Sequence, residues 1–69
     1  MRILLADNQS RVRSALRALL GQRPEWEVVG EAAEARLLLA SAGTLCPDLV
    51  LLDWQLRGLA AADLLQALR

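Results

Sequence analysis

The sequence predicts an α/β fold, a parallel three-stranded sheet of order 2-1-3 with flanking helices. Three observations carry this expectation. Two short, wholly apolar runs, Ile3-Leu4-Leu5-Ala6 and Leu49-Val50-Leu51-Leu52, each end at an Asp, as strands buried on both faces do. Ala- and Leu-rich stretches with helical spacing separate and follow them. Strands alternating with helices through right-handed crossovers pair in parallel, and 69 residues hold one small domain at most.

Strand one is expected over 2–6. Asp7-Asn8-Gln9-Ser10 then breaks the run with turn and cap formers. Val12, Ala15, Leu16 and Leu19 mark the apolar face of a helix over 10–20, with Arg11, Arg13 and Arg17 on its solvated side. Gly21 stands where a C-cap glycine belongs, and Pro24 bars continuation. Trp26 reads as a hydrophobic plug before strand two, 27–31, which is short, ends at Gly30 and Glu31, and suits a sheet edge. Residues 34–42 lack β-branched side chains and precede Gly43, which predicts the second helix. Pro47-Asp48 introduces strand three, 48–52. Beyond Gly58, Ala61, Leu64, Leu65 and Leu68 mark a third helix over 60–69. The two apolar strands should be neighbours with the weaker one outside, leaving strand three with an unprotected apolar edge open to pairing.

Composition excludes several functions. At 55% apolar residues the chain is too hydrophobic to be disordered. Eight Arg balance eight acids with no Lys, so no basic footprint for nucleic acid is present. The lack of His removes the usual general base and the Ser-His-Asp class. A single Cys46 forms no internal disulfide and, with no basic neighbour, reads as an inert, partly buried thiol. No leader pattern and no apolar run near ~18 residues is present, so a cytoplasmic protein without membrane spans is expected. The four glycines show no nucleotide-loop spacing. Chemistry must therefore rest on carboxylates.

In open parallel sheets, ligands bind beyond the carboxyl ends of the strands where the order switches direction. Asp7 and Asp53 each follow an apolar strand and should stand at one rim, on strands ~5 Å apart. Two carboxylates at that separation repel by roughly 3 kcal/mol at an effective dielectric of about 20. A hard divalent cation, Mg²⁺ above all, would offset this, with Asn8 as a further oxygen donor. One carboxylate would help hold the ion while the other attacks a phosphoryl group. Spacing does not say which does which, and the plain alternative is that each Asp is a turn former or a helix cap.

Ile3-Leu4-Leu5-Ala6-Asp7-Asn8, Val12-Arg13, Leu16-Arg17-Ala18-Leu19-Leu20, Glu27-Val28-Val29-Gly30-Glu31-Ala32 and Pro47-Asp48-Leu49-Val50-Leu51-Leu52-Asp53 together resemble the receiver domain of bacterial response regulators. The helix-one and Val-Val-Gly-Glu-Ala pieces are most similar to the subgroup with a LuxR-type helix-turn-helix output. The resemblance implies the flavodoxin-like receiver fold, of which residues 1–69 would be an incomplete, N-terminal portion. It places Asp53 on the phospho-acceptor and Asp7 and Asn8 on the acidic pair that binds Mg²⁺. The backbone carbonyl of Gln55 falls on a third metal ligand beside Asp53. The phosphoryl donor it implies is a sensor histidine kinase, and the module would not itself be an enzyme.

The departures from the family are specific. Asn8 removes one negative charge, Leu56-Arg57 replaces the family's Met-Pro, and the family's switch Ser or Thr and its Lys after strand five have no counterpart. The alternative is therefore a degenerate or truncated receiver acting as a non-phosphorylated interaction or dimerisation module. In either case a homodimer or a C-terminal half would cover strand three. A phosphohydrolase with an aspartyl nucleophile would want a second acid two residues after Asp7, where Gln9 stands.

Overall fold

The computed structural model of the chain describes residues 1–53, 56, 58, 63, 66 and 67. Five elements follow in the order β1 (Arg2–Ala6), α1 (Ser10–Leu20), β2 (Glu27–Ala32), α2 (Ala35–Leu45) and β3 (Leu49–Leu52). The strands form one parallel sheet of order β2-β1-β3, as the sequence predicts. β1 is central because its Ile3, Leu4, Leu5 and Ala6 are apolar on both sides, and all four are buried. Alternation of side chains along a strand sends Leu4 and Ala6 to one face and Ile3 and Leu5 to the other.

The Leu4 face carries the core. There Leu4 and Ala6 join Ala32, Ala35, Leu38 and Leu56, with Val50 and Leu52 of β3 packed against them. On the opposite face Ile3 lines an apolar hollow of about 200 Å³ with Met1, Leu20, Trp26, Leu49 and Leu51. Trp26 is half-buried there, and the Arg23 guanidinium lies 5.3 Å from its ring centroid.

The register of β1 with β2 shifts between Ile3, which pairs with Val28, and Leu4, which pairs with Gly30. Val29 is thus the extra residue of a bulge. A Cβ at Gly30 would stand 2.9 Å from Leu45 Cδ1 and 3.2 Å from Leu4 Cδ1, so glycine lets the end of α2 come down onto the sheet.

Some boundaries differ from the expectation. α2 runs through Gly43 to Leu45 rather than stopping at 42, since a glycine costs a helix interior only ~1 kcal/mol and does not by itself end it. The helix closes instead at Cys46, in the left-handed region at φ 47°, whose N–H donates to the Ala42 carbonyl. Cys46 is exposed, not partly buried. β3 begins at Leu49, since Asp48 is taken up in a clasp with Arg2. The Arg2 N–H donates to Asp48 Oδ2 at 2.7 Å, the Asp48 N–H donates to the Arg2 carbonyl at 2.8 Å, and Arg2 Nη2 donates to the Leu45 carbonyl. Gly21 closes α1 in an ordinary right-handed conformation. Most of the expected third helix, together with Trp54 and Gln55, lies outside the described residues, while Asp63, Gln66 and Ala67 are helical.

Candidate functional site

The last register pair of β1 and β3 is Ala6 with Leu52, so the residues that follow, Asp7 and Asp53, leave the sheet at the same rim. Backbone bonds fix both. The Asp7 N–H donates to the Ala32 carbonyl at 3.0 Å, and the Asp53 N–H to the Ala6 carbonyl at 2.7 Å. Both residues are half-buried and line one open hollow of about 220 Å³ with Leu16, Leu51 and Leu52. Apolar walls beside two acids lower the local dielectric and strengthen any charge interaction made there.

Asp7 is held at further points. Its Oδ1 accepts the Gln9 N–H at 2.8 Å, an Asx turn that launches α1 without a side-chain cap from Gln9 itself. Its carbonyl accepts Arg13 Nη1 at 2.5 Å. Arg13 Nε donates to Glu31 Oε1 at 3.0 Å, and Arg17 Nε to Glu31 Oε2 at 2.8 Å. The Arg17 hydrogen bond holds the Glu31 carboxyl below its ordinary range against a partial opposing effect of burial, and Arg13 adds to the lowering. Arg13 and Arg17 are therefore not simply the solvated face of α1. Asn8 is exposed in the β1–α1 connection, next to Asp7.

Of the four residues expected around a metal ion, the structure brings Asp7 and Asp53 to one hollow and leaves Asn8 beside them. Gln55 lies outside the described residues. Among the described residues no group of three or more His, Cys, Asp or Glu side chains gathers. A cation here would take two carboxylates and complete its shell with amide, carbonyl or water oxygens, a donor set that suits a small hard ion. Arg13 and Glu31 were not legible as part of this site, because their bond joins residues 18 positions apart on different elements.

The chain is 36% identical over 67 residues to the nitrate/nitrite response regulator protein NarL of Escherichia coli K12, covering 97% of the chain and 31% of that protein. It is 37% identical over 59 residues to the transcriptional regulatory protein LiaR of Bacillus subtilis 168, covering 86% of the chain and 28% of LiaR. The crystal structure of the response regulator domain of Thermotoga maritima CheB superposes with a TM-score of 0.90 at 25% identity, over 97% of this chain and 50% of that one. Over nearly its whole length the chain is similar in sequence and in fold to response-regulator receiver domains.

No family model matches the chain. It spans about a third of the length of the curated relatives and half of the CheB domain. Its 2-1-3 parallel sheet is the flavodoxin-like receiver fold. Among the described residues no helix is long and apolar enough to cross a membrane.

Proposed function

We propose that the chain is the phospho-accepting part of a cytoplasmic two-component response regulator. In this reading Asp53 takes its phosphoryl group from the phosphohistidine of a sensor histidine kinase, with Mg²⁺. The observation that supports it most is the delivery of Asp7 and Asp53 by neighbouring parallel strands to one rim and one hollow. Asp7, the Asn8 amide oxygen, Asp53 and the Gln55 carbonyl would hold the ion. When bound, Mg²⁺ supplies charge neutralisation for the phosphoryl group in flight.

A carboxylate oxygen of Asp53 attacks phosphorus, the P–N bond breaks, and its electron pair returns to the imidazole of the donor, leaving an aspartyl phosphate. Asp53 is set for this by its N–H bond to the Ala6 carbonyl, which fixes where its Cα leaves the sheet. Asn8 leaves the site with one negative charge fewer than an acidic pair would, so Mg²⁺ binding is weaker than with two acids at 7 and 8. The step is a single transfer to the chain and not a turnover. The similarity to NarL and LiaR supports a transcriptional output and the LuxR-type subgroup. The half-exposed flank of β3, where Leu49 is 39% exposed, is the surface for a second copy or for a further length of receiver sequence.

Incubation with Mg²⁺ and a small phosphodonor, read by intact mass, should show one added phosphoryl group that Asp53→Asn abolishes. A wild-type protein that gains no adduct sinks the phospho-acceptor reading and favours the non-phosphorylated interaction module.

A further inference from the structure

Beside the two acids the structure holds a closed ring of interactions that the phospho-acceptor reading does not use. It runs from the Asp7 N–H to the Ala32 carbonyl, along the chain to Glu31, across to Arg13, and from Arg13 Nη1 back to the Asp7 carbonyl. Arg13 is the least exposed member of the α1 ion-pair cluster, its side chain 17% exposed against 30% for Glu31 and 49% for Arg17.

We propose that Arg13 is the positioning residue of the metal site, holding the β1–α1 connection so that the Asp7 carboxylate stands at the strand rim. This rests on the reading of Asp7 as an ion-binding carboxylate. Three atoms of Asp7 are engaged, its N–H by Ala32, its carbonyl by Arg13 and its Oδ1 by Gln9, which leaves Oδ2 as the oxygen that no described residue takes. Without the Arg13 bond, Asp7 itself keeps, among the described residues, only the Asx bond of the Gln9 N–H on its helix side.

Arginine suits this role and lysine does not. The planar guanidinium offers Nε to Glu31 and Nη1 to the Asp7 carbonyl in two fixed directions, where an ammonium is a single strongly hydrated point. Glu31 has a second task. By engaging Arg13 it keeps the guanidinium from pairing with the site's own carboxylates, where it would compete with the cation.

The test is a calorimetric Mg²⁺ titration of the wild type, Arg13→Met, Arg13→Lys and Glu31→Gln, with the Asp7 and Gln9 amide resonances followed in metal-free protein. Loss of a residue that orients a metal ligand typically weakens binding by roughly 10–100-fold, and Arg13→Met should fall in that range. Arg13→Lys should restore affinity only in part, Glu31→Gln should weaken it less, and the Gln9 resonance should move in Arg13→Met. A merely structural Arg13 would lower the melting temperature and leave the Mg²⁺ dissociation constant and the Gln9 resonance in place, which overturns the proposal. If Arg13→Met does not fold, Arg13→Lys and Glu31→Gln carry the same comparison, and wild-type affinity in both overturns it too. A wild type that takes up no Mg²⁺ sinks the phospho-acceptor reading along with this proposal, whereas normal uptake by wild type and Arg13→Met alike sinks this proposal alone.

Discussion

Glu31 shows how a single side chain ties α1 to the sheet. Arg17 and Arg13 both hydrogen-bond its carboxylate, and its folded-state pKa lies below the ordinary 4.5. A carboxylate with a depressed folded pKa contributes stability that is fully present above its unfolded pKa and lost as pH falls through the folded value. The melting temperature of the wild type should therefore exceed that of Glu31→Gln by a constant margin near neutral pH. That margin should shrink below pH 4.5 and vanish in stronger acid. Thermal melts of both proteins across pH check it, and a margin that persists in strong acid would show that charge is not its source. The margin is modest, since the Glu31 side chain is 30% exposed and solvent screens the pair. This network was invisible in the sequence. Arg13 and Arg17 follow the helical period of the polar side of α1, and periodicity says which side a residue is on without naming its partner.

At the scale of elements, the order β-α-β-α-β and the sheet order were legible because they follow from two apolar runs ended by Asp, the turn formers after Asp7, and the prolines ahead of β2 and β3. The shared rim of Asp7 and Asp53 was legible for the same reason, being a consequence of strand ends and parallel pairing. The bulge at Val29 and the end of α2 were not. Gly43 resembles a stop signal, yet it lies in open space on a helix that Leu45 finishes by packing toward Gly30. The seam between α2 and the sheet depends on Leu38, fully buried against Leu4, Ala6 and Ala32. Leu38→Ala should cost about 2–5 kcal/mol. A single core of this size supplies only ~3–5 kcal/mol, so the variant should be largely unfolded at room temperature. Urea titration followed by circular dichroism reads this directly, and a midpoint near that of the wild type would mean that α2 is not what secures the core. Gly30→Val should also destabilise the fold, by about 1–3 kcal/mol, since its branches would press on Leu45 and Leu4.

Seen whole, the molecule is unevenly covered. α2 closes one face of the sheet, while two hollows share Leu51 of β3, one lined also by Met1, Trp26 and Leu49, the other by Leu16 and the two acids. Met1 is 47% exposed and Leu49 39%, and among the described residues no strand pairs with the outer side of β3. An unpaired apolar strand edge is a template for another chain. The 69-residue chain should accordingly self-associate as its concentration rises, with Leu49→Lys suppressing this. Leu49 reaches solvent far enough for an ammonium group to stay hydrated in the monomer. A second copy brought against the flank would have to desolvate that charge, which is how natural edge strands discourage pairing. Sedimentation velocity over a wide concentration range should show the wild-type coefficient rising and the Leu49→Lys coefficient flat, with both proteins equally folded by circular dichroism. A wild type that stays monomeric throughout would show that the β3 flank does not hold a second copy, and the flank would then lose its role in assembly.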